Sequence, residues 1–175
     1  MSLPHRFFPG SILLAGALLL AGTACATDIS MAGGNVGFST PDDWVTIIET
    51  QGEPEMRVFQ VPDPSPTAHD QLAYVSVVVK QADDLAAFEQ FVGGALRKAR
   101  ALKGYQASGN PQGPNSYAYT AQEGGAPYRY SERYWFKNNH AVQLRCARPA
   151  STQAGAAWVA SFDKGCDAVA ASLAQ

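Results

Sequence analysis

The stretch from Pro127 to Arg148 constrains the fold most. From Pro127 to Lys137 the residues alternate without a break: Tyr128, Tyr130, Glu132, Tyr134 and Phe136 fall on one side of an extended chain, and Arg129, Ser131, Arg133, Trp135 and Lys137 on the other. A period of two is the period of a β-strand. Asn138-Asn139 follows, and asparagine tolerates the left-handed backbone of a two-residue turn, so His140 to Arg148 is expected to fold back as the partner strand. One side must meet a core, and the aromatic set suits it. That choice leaves Trp135 facing outwards among Arg129, Arg133 and Lys137, with Gln143 and Arg145 alongside. Arginine and tryptophan dominate protein-binding hot spots, so Arg129, Arg133, Trp135, Lys137 and Arg145 form a candidate partner-binding face. The competing reading is a solvated strand whose Trp135 is shielded by a loop or by the terminal helix.

The other elements read as follows. Val36 to Ser39 is a short strand, and Pro41-Asp42-Asp43 a turn into a strand anchored by Trp44. Met56 to Val61 is the next strand, and Pro62-Asp63-Pro64-Ser65-Pro66 is loop, because three prolines remove three backbone donors. Ala73 to Lys80 alternates Ala73, Val75, Val77 and Val79 with Tyr74, Ser76, Val78 and Lys80, a strand suited to cover on both faces. Asp83-Asp84 caps a helix whose apolar residues Leu85, Phe88, Val92, Leu96, Ala99 and Leu102 recur at steps of three and four, with Arg97, Lys98, Arg100 and Lys103 at its negative end. Gly93-Gly94 lies within it, at a cost of about 1 kcal/mol per glycine that close approach to the sheet would explain. Short strands at Tyr105 to Gly109 and Ser116 to Gln122 flank a loop at residues 110–115. A second helix, Thr152 to Leu173, lines up Trp158, Phe162, Cys166, Val169 and Leu173, with Gly165 as a weak point. The fold class is therefore α+β: an antiparallel sheet of about six to eight strands packed with two main helices.

The N-terminus reads as an export signal. His5-Arg6 precedes an apolar run from Ile12 to Ala21 and the small residues Gly22 to Ala26, the three parts of a signal peptide over residues 1–26. The run is shorter than the ~20 residues that span a bilayer. Ala24 and Ala26 suit cleavage, whereas Ala24-Cys25 suits lipoprotein processing with Cys25 as the lipidated residue. Both readings stay open, and both place the protein in a bacterial periplasm, free or held by a lipid anchor. Residues 27–35, with Gly33-Gly34, are expected as a flexible leader, and residues 36–175 as one domain.

Cys146 and Cys166 then remain as an even pair in an oxidising compartment, most simply a disulfide; two buried thiols is the alternative. Neither cysteine has a second ligand at a zinc spacing, so no metal site is expected. Asp28 to Glu89 carries 11 acidic residues against Arg57 and Lys80, a net −9, and Gln90 to Arg148 carries 9 basic residues against Glu123 and Glu132, a net +7. A mildly acidic total argues against a nucleic-acid binder, while the layout allows one cationic face to steer an acidic partner.

Gly37-Phe38-Ser39 with Pro41 and Trp44, the valine-rich strand before Leu85-Ala86-Ala87-Phe88, the late aromatic hairpin and the terminal helix ending in Ser172-Leu173 together resemble the PsbP-like and DcrB-like superfamily of exported α/β sandwich proteins. The resemblance covers Val36 to Leu173. It implies a non-enzymatic role as a lipoprotein, assembly factor, chaperone or partner-binding module, and it carries over no functional residue, because the shared positions are packing positions.

No nucleophile turn, zinc-protease helix, P-loop or dinucleotide fingerprint is present. Asp42-Asp43 and Asp83-Asp84 sit where turn and helix caps belong. An enzyme would require His69 and His140 to meet beside a carboxylate. The expectation is a protein-binding module without catalysis or cofactor, engaging another exported or envelope protein in an accessory, chaperone-like or immunity-type role. The alternative is a carrier of a small ligand held in a cleft between sheet and helix.

Overall fold

The computed structural model describes residues 26–109 and 113–175. The expected signal peptide, apart from Ala26, lies outside these residues together with Cys25 and part of the 110–115 loop. In chain order the strands are β1 (Ala26–Met31), β2 (Val36–Pro41), β3 (Val45–Thr50), β4 (Glu55–Gln60) and β5 (Tyr74–Gln81). Helix α1 (Leu85–Arg100) follows, then β6 (Gln106–Ser108), β7 (Ser116–Glu123), β8 (Ala126–Lys137), β9 (His140–Pro149) and α2 (Gly155–Leu173). Seven strands form one antiparallel sheet in the order β3-β4-β5-β9-β8-β7-β6, and β1 and β2 form a separate hairpin. The α+β class with two main helices is thus as the sequence patterns require.

The β8-β9 hairpin is the spine. Asn138 and Asn139 both take positive φ at its turn, Lys137 pairs with His140, and the register runs back to Tyr128 opposite Pro149. The helices lie on opposite faces of the sheet. On one, α2 and the β1-β2 hairpin close over Phe59, Val75, Val77, Val79, Val142 and Leu144. On the other, α1 rests through Phe88 and Val92 on Tyr134 and Ala141, and through Ala99 beside Tyr119 and Tyr130. The Asp84 carboxylate caps α1 by accepting from the Ala87 N–H at 2.7 Å, as expected.

Residues 27–35 correct the leader expectation. Ile29 and Met31 alternate inwards and pair with Phe38 and Val36, Gly33 and Gly34 (φ +62° and +98°) make the reversal, and Met31 is buried. Gly-Gly here serves a tight turn, not a tether.

Two glycine expectations also change. Gly165 does not break α2, which runs unbroken from Gly155; a Cβ there would come within 2.7 Å of the Trp44 ring, so its absence lets the indole lie on the helix. Gly93 and Gly94 make no close approach to the sheet, since added Cβ atoms would meet only the Arg97 side chain, at 3.5 and 3.8 Å. The two sites therefore respond oppositely to alanine. Gly94→Ala is expected to stabilise by about 1 kcal/mol through helix propensity, and Gly165→Ala to destabilise by about 1 to 2 kcal/mol through overpacking. Urea denaturation of both variants checks the pair; equal signs would contradict it.

Candidate functional site

The disulfide joins Cys146 of β9 to Cys166 of α2, with Cα atoms 6.4 Å apart. It fixes α2 over the side of β8 expected to be a partner-binding face, and the helix occupies much of that face. Arg133 pairs with Asp167, Arg148 with Asp163 at 3.3 Å, and the Lys137 ammonium donates to the Leu173 carbonyl at 3.4 Å. Trp135 is half-buried against the core beneath α2, so the expectation of an outward tryptophan is corrected in favour of shielding by the terminal helix. Arg129 remains exposed. It rims a hollow of ≈220 Å³ with Arg133 and Arg148.

Arg145 does not belong to this face. It pairs with Glu132 in the β8-β9 register and therefore points to the α1 side. The signal was available: a two-residue turn pairs Lys137 with His140, and counting back sets Glu132 opposite Arg145.

Glu132 is the organising residue of the α1 side, a carboxylate with 0% exposure. The Tyr119 hydroxyl donates to its Oε1 at 2.7 Å, Arg145 Nε donates to the same oxygen at 2.6 Å, and the Tyr134 hydroxyl donates to Oε2. Gln143 in turn donates to the Tyr134 oxygen at 3.0 Å. A second carboxylate, Glu123, accepts from Tyr74 at 2.9 Å and from Tyr130, and the Tyr119 and Tyr130 rings stack at 4.7 Å. All seven tyrosines of the chain lie on this side.

Burial and then the neighbouring glutamate push the Tyr74, Tyr119 and Tyr134 phenols well above the usual range. Burial and the hydrogen bond to Glu123 do the same for Tyr130. Burial, then Glu123, lifts Tyr128 to about 12. For Arg145, burial works against the charge and Glu132 outweighs it, leaving the guanidinium above its ordinary value. The tyrosine shifts carry a pH prediction. Each phenol ionises more readily unfolded, at 10.0, than folded, so the native state holds more protons above that pH and stability falls as pH rises past it. Ultraviolet difference titration with circular dichroism should show these phenolates forming together with unfolding; reversible ionisation of all the tyrosines near pH 10 in a fully folded protein would contradict the network.

The same network floors a cleft. Helix α1 is propped on tall side chains of β7 and β8, with Phe88 against Phe136 at 5.9 Å and Phe91 against Tyr134 at 6.2 Å. The adjacent strands present shorter residues on this face, Ala141 and Gln143 on β9, and Ser76 and Val78 on β5. A helix held up along one edge leaves a gap along the other. The gap is ≈1060 Å³, with Met56, Val78, Gln143 and Arg145 below and Phe91, Gly93, Gly94 and Ala95 above. Lys80, Arg97, Lys98 and Arg145 line it against one carboxylate, Glu89. Sequence reasoning missed these residues as a site, Gln143 and Arg145 having been set on the opposite face, because they come from four elements whose heights are fixed only by packing.

Neither histidine lines this cleft or the smaller hollow. His140 pairs with Gln81 at one end of β5, and His69 lies in the loop that enters β5 at its other end. Asp42 accepts from the Thr27 hydroxyl of β1 at 2.8 Å and Asp83 from the Gln81 side-chain amide at 3.0 Å, while the expected helix cap is made by Asp84. Among the described residues no cluster of three metal-ligating side chains occurs, and no helix is long and apolar enough to cross a membrane.

No family model matches the chain, and no curated protein matches it. Solved structures do. LpqN of Mycobacterium tuberculosis, described as involved in cell envelope biogenesis, aligns with TM-score 0.51 and 12% identity over 83% of this chain and 87% of that one. The Ran-binding protein Mog1p of Saccharomyces cerevisiae aligns with TM-score 0.49 and 12% identity over 87% of this chain and 94% of that one. At such identity the likeness to LpqN is one of fold: the chain has the α/β sandwich architecture.

Proposed function

We propose that this chain is an exported binding module without catalysis, of the PsbP-like and DcrB-like kind, and that its working site is the cleft between α1 and the sheet, which holds a small ligand. The observation that carries this reading is the cleft itself: a half-open groove of ≈1060 Å³ has room for a drug-sized molecule. Gly93 and Gly94 support it, because they sit on its wall and serve no helix-sheet contact. The disulfide fits a periplasmic location, and the sandwich shared with LpqN, itself described as involved in cell envelope biogenesis, fits an envelope role.

Protein purified from an exporting host should carry a copurifying small-molecule mass in native mass spectrometry. Gly94→Phe, which places a ring in the cleft where only the flexible Arg97 side chain stands near, should lose it. A mass retained by that variant, or a wild type without one, would overturn the reading.

A second reading keeps a protein partner, another exported or envelope protein, on the opposite face, and exposed Arg129 beside Arg133 and Arg148 favours it. Arg129→Glu should then abolish partner capture from an exported extract while the far-ultraviolet spectrum stays unchanged; undiminished capture would remove this reading.

A further inference from the structure

The charge and the apolar surface of the cleft are sorted in space. In the strand register Arg145 stands opposite Ser76, and the next residues along on this face, Gln143, Val78 and Met56, lie side by side across β9, β5 and β4. Arg97 and Lys98 come from the last turns of α1 and line the same space as Arg145, and Phe91 of the helix lines it together with Met56 and Val78. One part of the cleft is thus cationic and the adjoining floor and roof are apolar.

Arg145 is poised rather than spent. Its Nε is committed to Glu132, its terminal amino groups make no hydrogen bond to the described residues, and its side chain keeps 29% exposure while lining the cleft. A guanidinium anchored through Nε by a buried carboxylate presents its other edge in a fixed orientation, the arrangement that recognises a planar oxyanion. Thr50 of β3 pairs with Met56 and lines the cleft with it, so the cleft reaches the edge strand. Ile48 and Val45 on β3 are 45% and 58% exposed.

Resting on the cleft reading above, we propose that the ligand is a single-chain anionic amphiphile. Its oxyanion head lies on Arg145, Arg97 and Lys98, and its hydrocarbon chain runs over Val78 and Met56 beneath Phe91 towards the β3 edge. The cations supply selectivity for the head, and burial of the methylenes supplies affinity.

Isothermal titration with dodecanoate and with dodecyl maltoside, each below its micellar concentration, tests this. The two share a chain and differ in the charge of the head. Dodecanoate is expected to bind with a Kd on the order of micromolar and dodecyl maltoside about tenfold or more weakly. The surface variant Arg97→Glu/Lys98→Glu should weaken dodecanoate about tenfold and leave dodecyl maltoside unmoved. Gly94→Phe should abolish dodecanoate binding. Equal affinities for the two probes, both lost in Gly94→Phe, would overturn the anionic head and leave the cleft reading standing. Dodecanoate binding that survives Gly94→Phe would overturn both, and absence of dodecanoate binding to the wild type would overturn the proposal outright.

Discussion

Replacing Cys146 and Cys166 together by alanine is expected to lower the unfolding free energy by about 3 kcal/mol, the chain-entropy value for a closed loop of 20 residue steps. In a domain of this size that corresponds to a fall of roughly 10 °C in Tm. The variant should still fold. Phe162, Val169 and Leu173 stay buried under α2, and Asp163 and Asp167 still meet Arg148 and Arg133. The largest local effect should be on α2, whose amides should exchange faster than those of β5 and β9, because the helix loses its covalent tie while the central strands lose none of their ladder. Chemical denaturation with and without reductant measures the first effect, and hydrogen exchange the second. A loss below about 1 kcal/mol would contradict this account, as would two free sulfhydryls in unreduced native protein.

Glu132→Ala is expected to cost about 3 kcal/mol. The substitution leaves the Arg145 guanidinium without its counter-ion and the Tyr119 and Tyr134 hydroxyls without their acceptor, all in surroundings that exclude most water. Removing one member of a buried ion pair costs about 3 to 5 kcal/mol, and the 29% exposure of Arg145 sets the lower end, since the cation can turn into the cleft. The double variant Glu132→Leu/Arg145→Met should recover part of the loss, because no charge is left without its partner, but not all of it, because the Tyr119 and Tyr134 hydroxyls still lack their acceptor. Denaturation of the single and double variants forms the test. A double variant no more stable than the single one would show that the cost does not lie in the uncompensated Arg145 charge.

These two positions also show what sequence patterns reveal and what they do not. The disulfide and the β8-β9 hairpin were legible because their determinants are local: an even pair of cysteines after an N-terminus that reads as an export signal, and an unbroken alternation closed by Asn138-Asn139. The aromatic face of β8 met the core as its chemistry requires. Glu132 sat in the middle of that face, and its burial was the clue to a cation on the neighbouring strand; the turn length identifies that cation as Arg145. The inward Ile29 and Met31, reflected through Gly33-Gly34 onto Val36 and Phe38, likewise mark a hairpin where composition alone suggests a tether.

What could not be read was the shape between elements. Both helices present an apolar stripe, and nothing local says that α2 beds down over Trp135 while α1 is held off β5 by the aromatics of β8. Asp163 and Asp167, one helical turn apart on α2, pair with Arg148 of β9 and Arg133 of β8, contacts that neither strand shows by itself. The consequence is functional. Of the cations that pattern reading placed on one open face, Arg133 and Lys137 are engaged by α2 and Arg145 lies on the other face, where it lines the cleft with Lys80, Arg97 and Lys98.

The most direct measurement is amide chemical-shift mapping of the native protein during a dodecanoate titration. Shifts should concentrate in the Phe91 to Lys98 half of α1 and at Met56, Val78, Gln143 and Arg145, the two walls of the cleft. Shifts gathered instead around Arg129, Ser131 and the Asp163 to Asp167 turn of α2 would place the ligand on the opposite face and contradict the assignment.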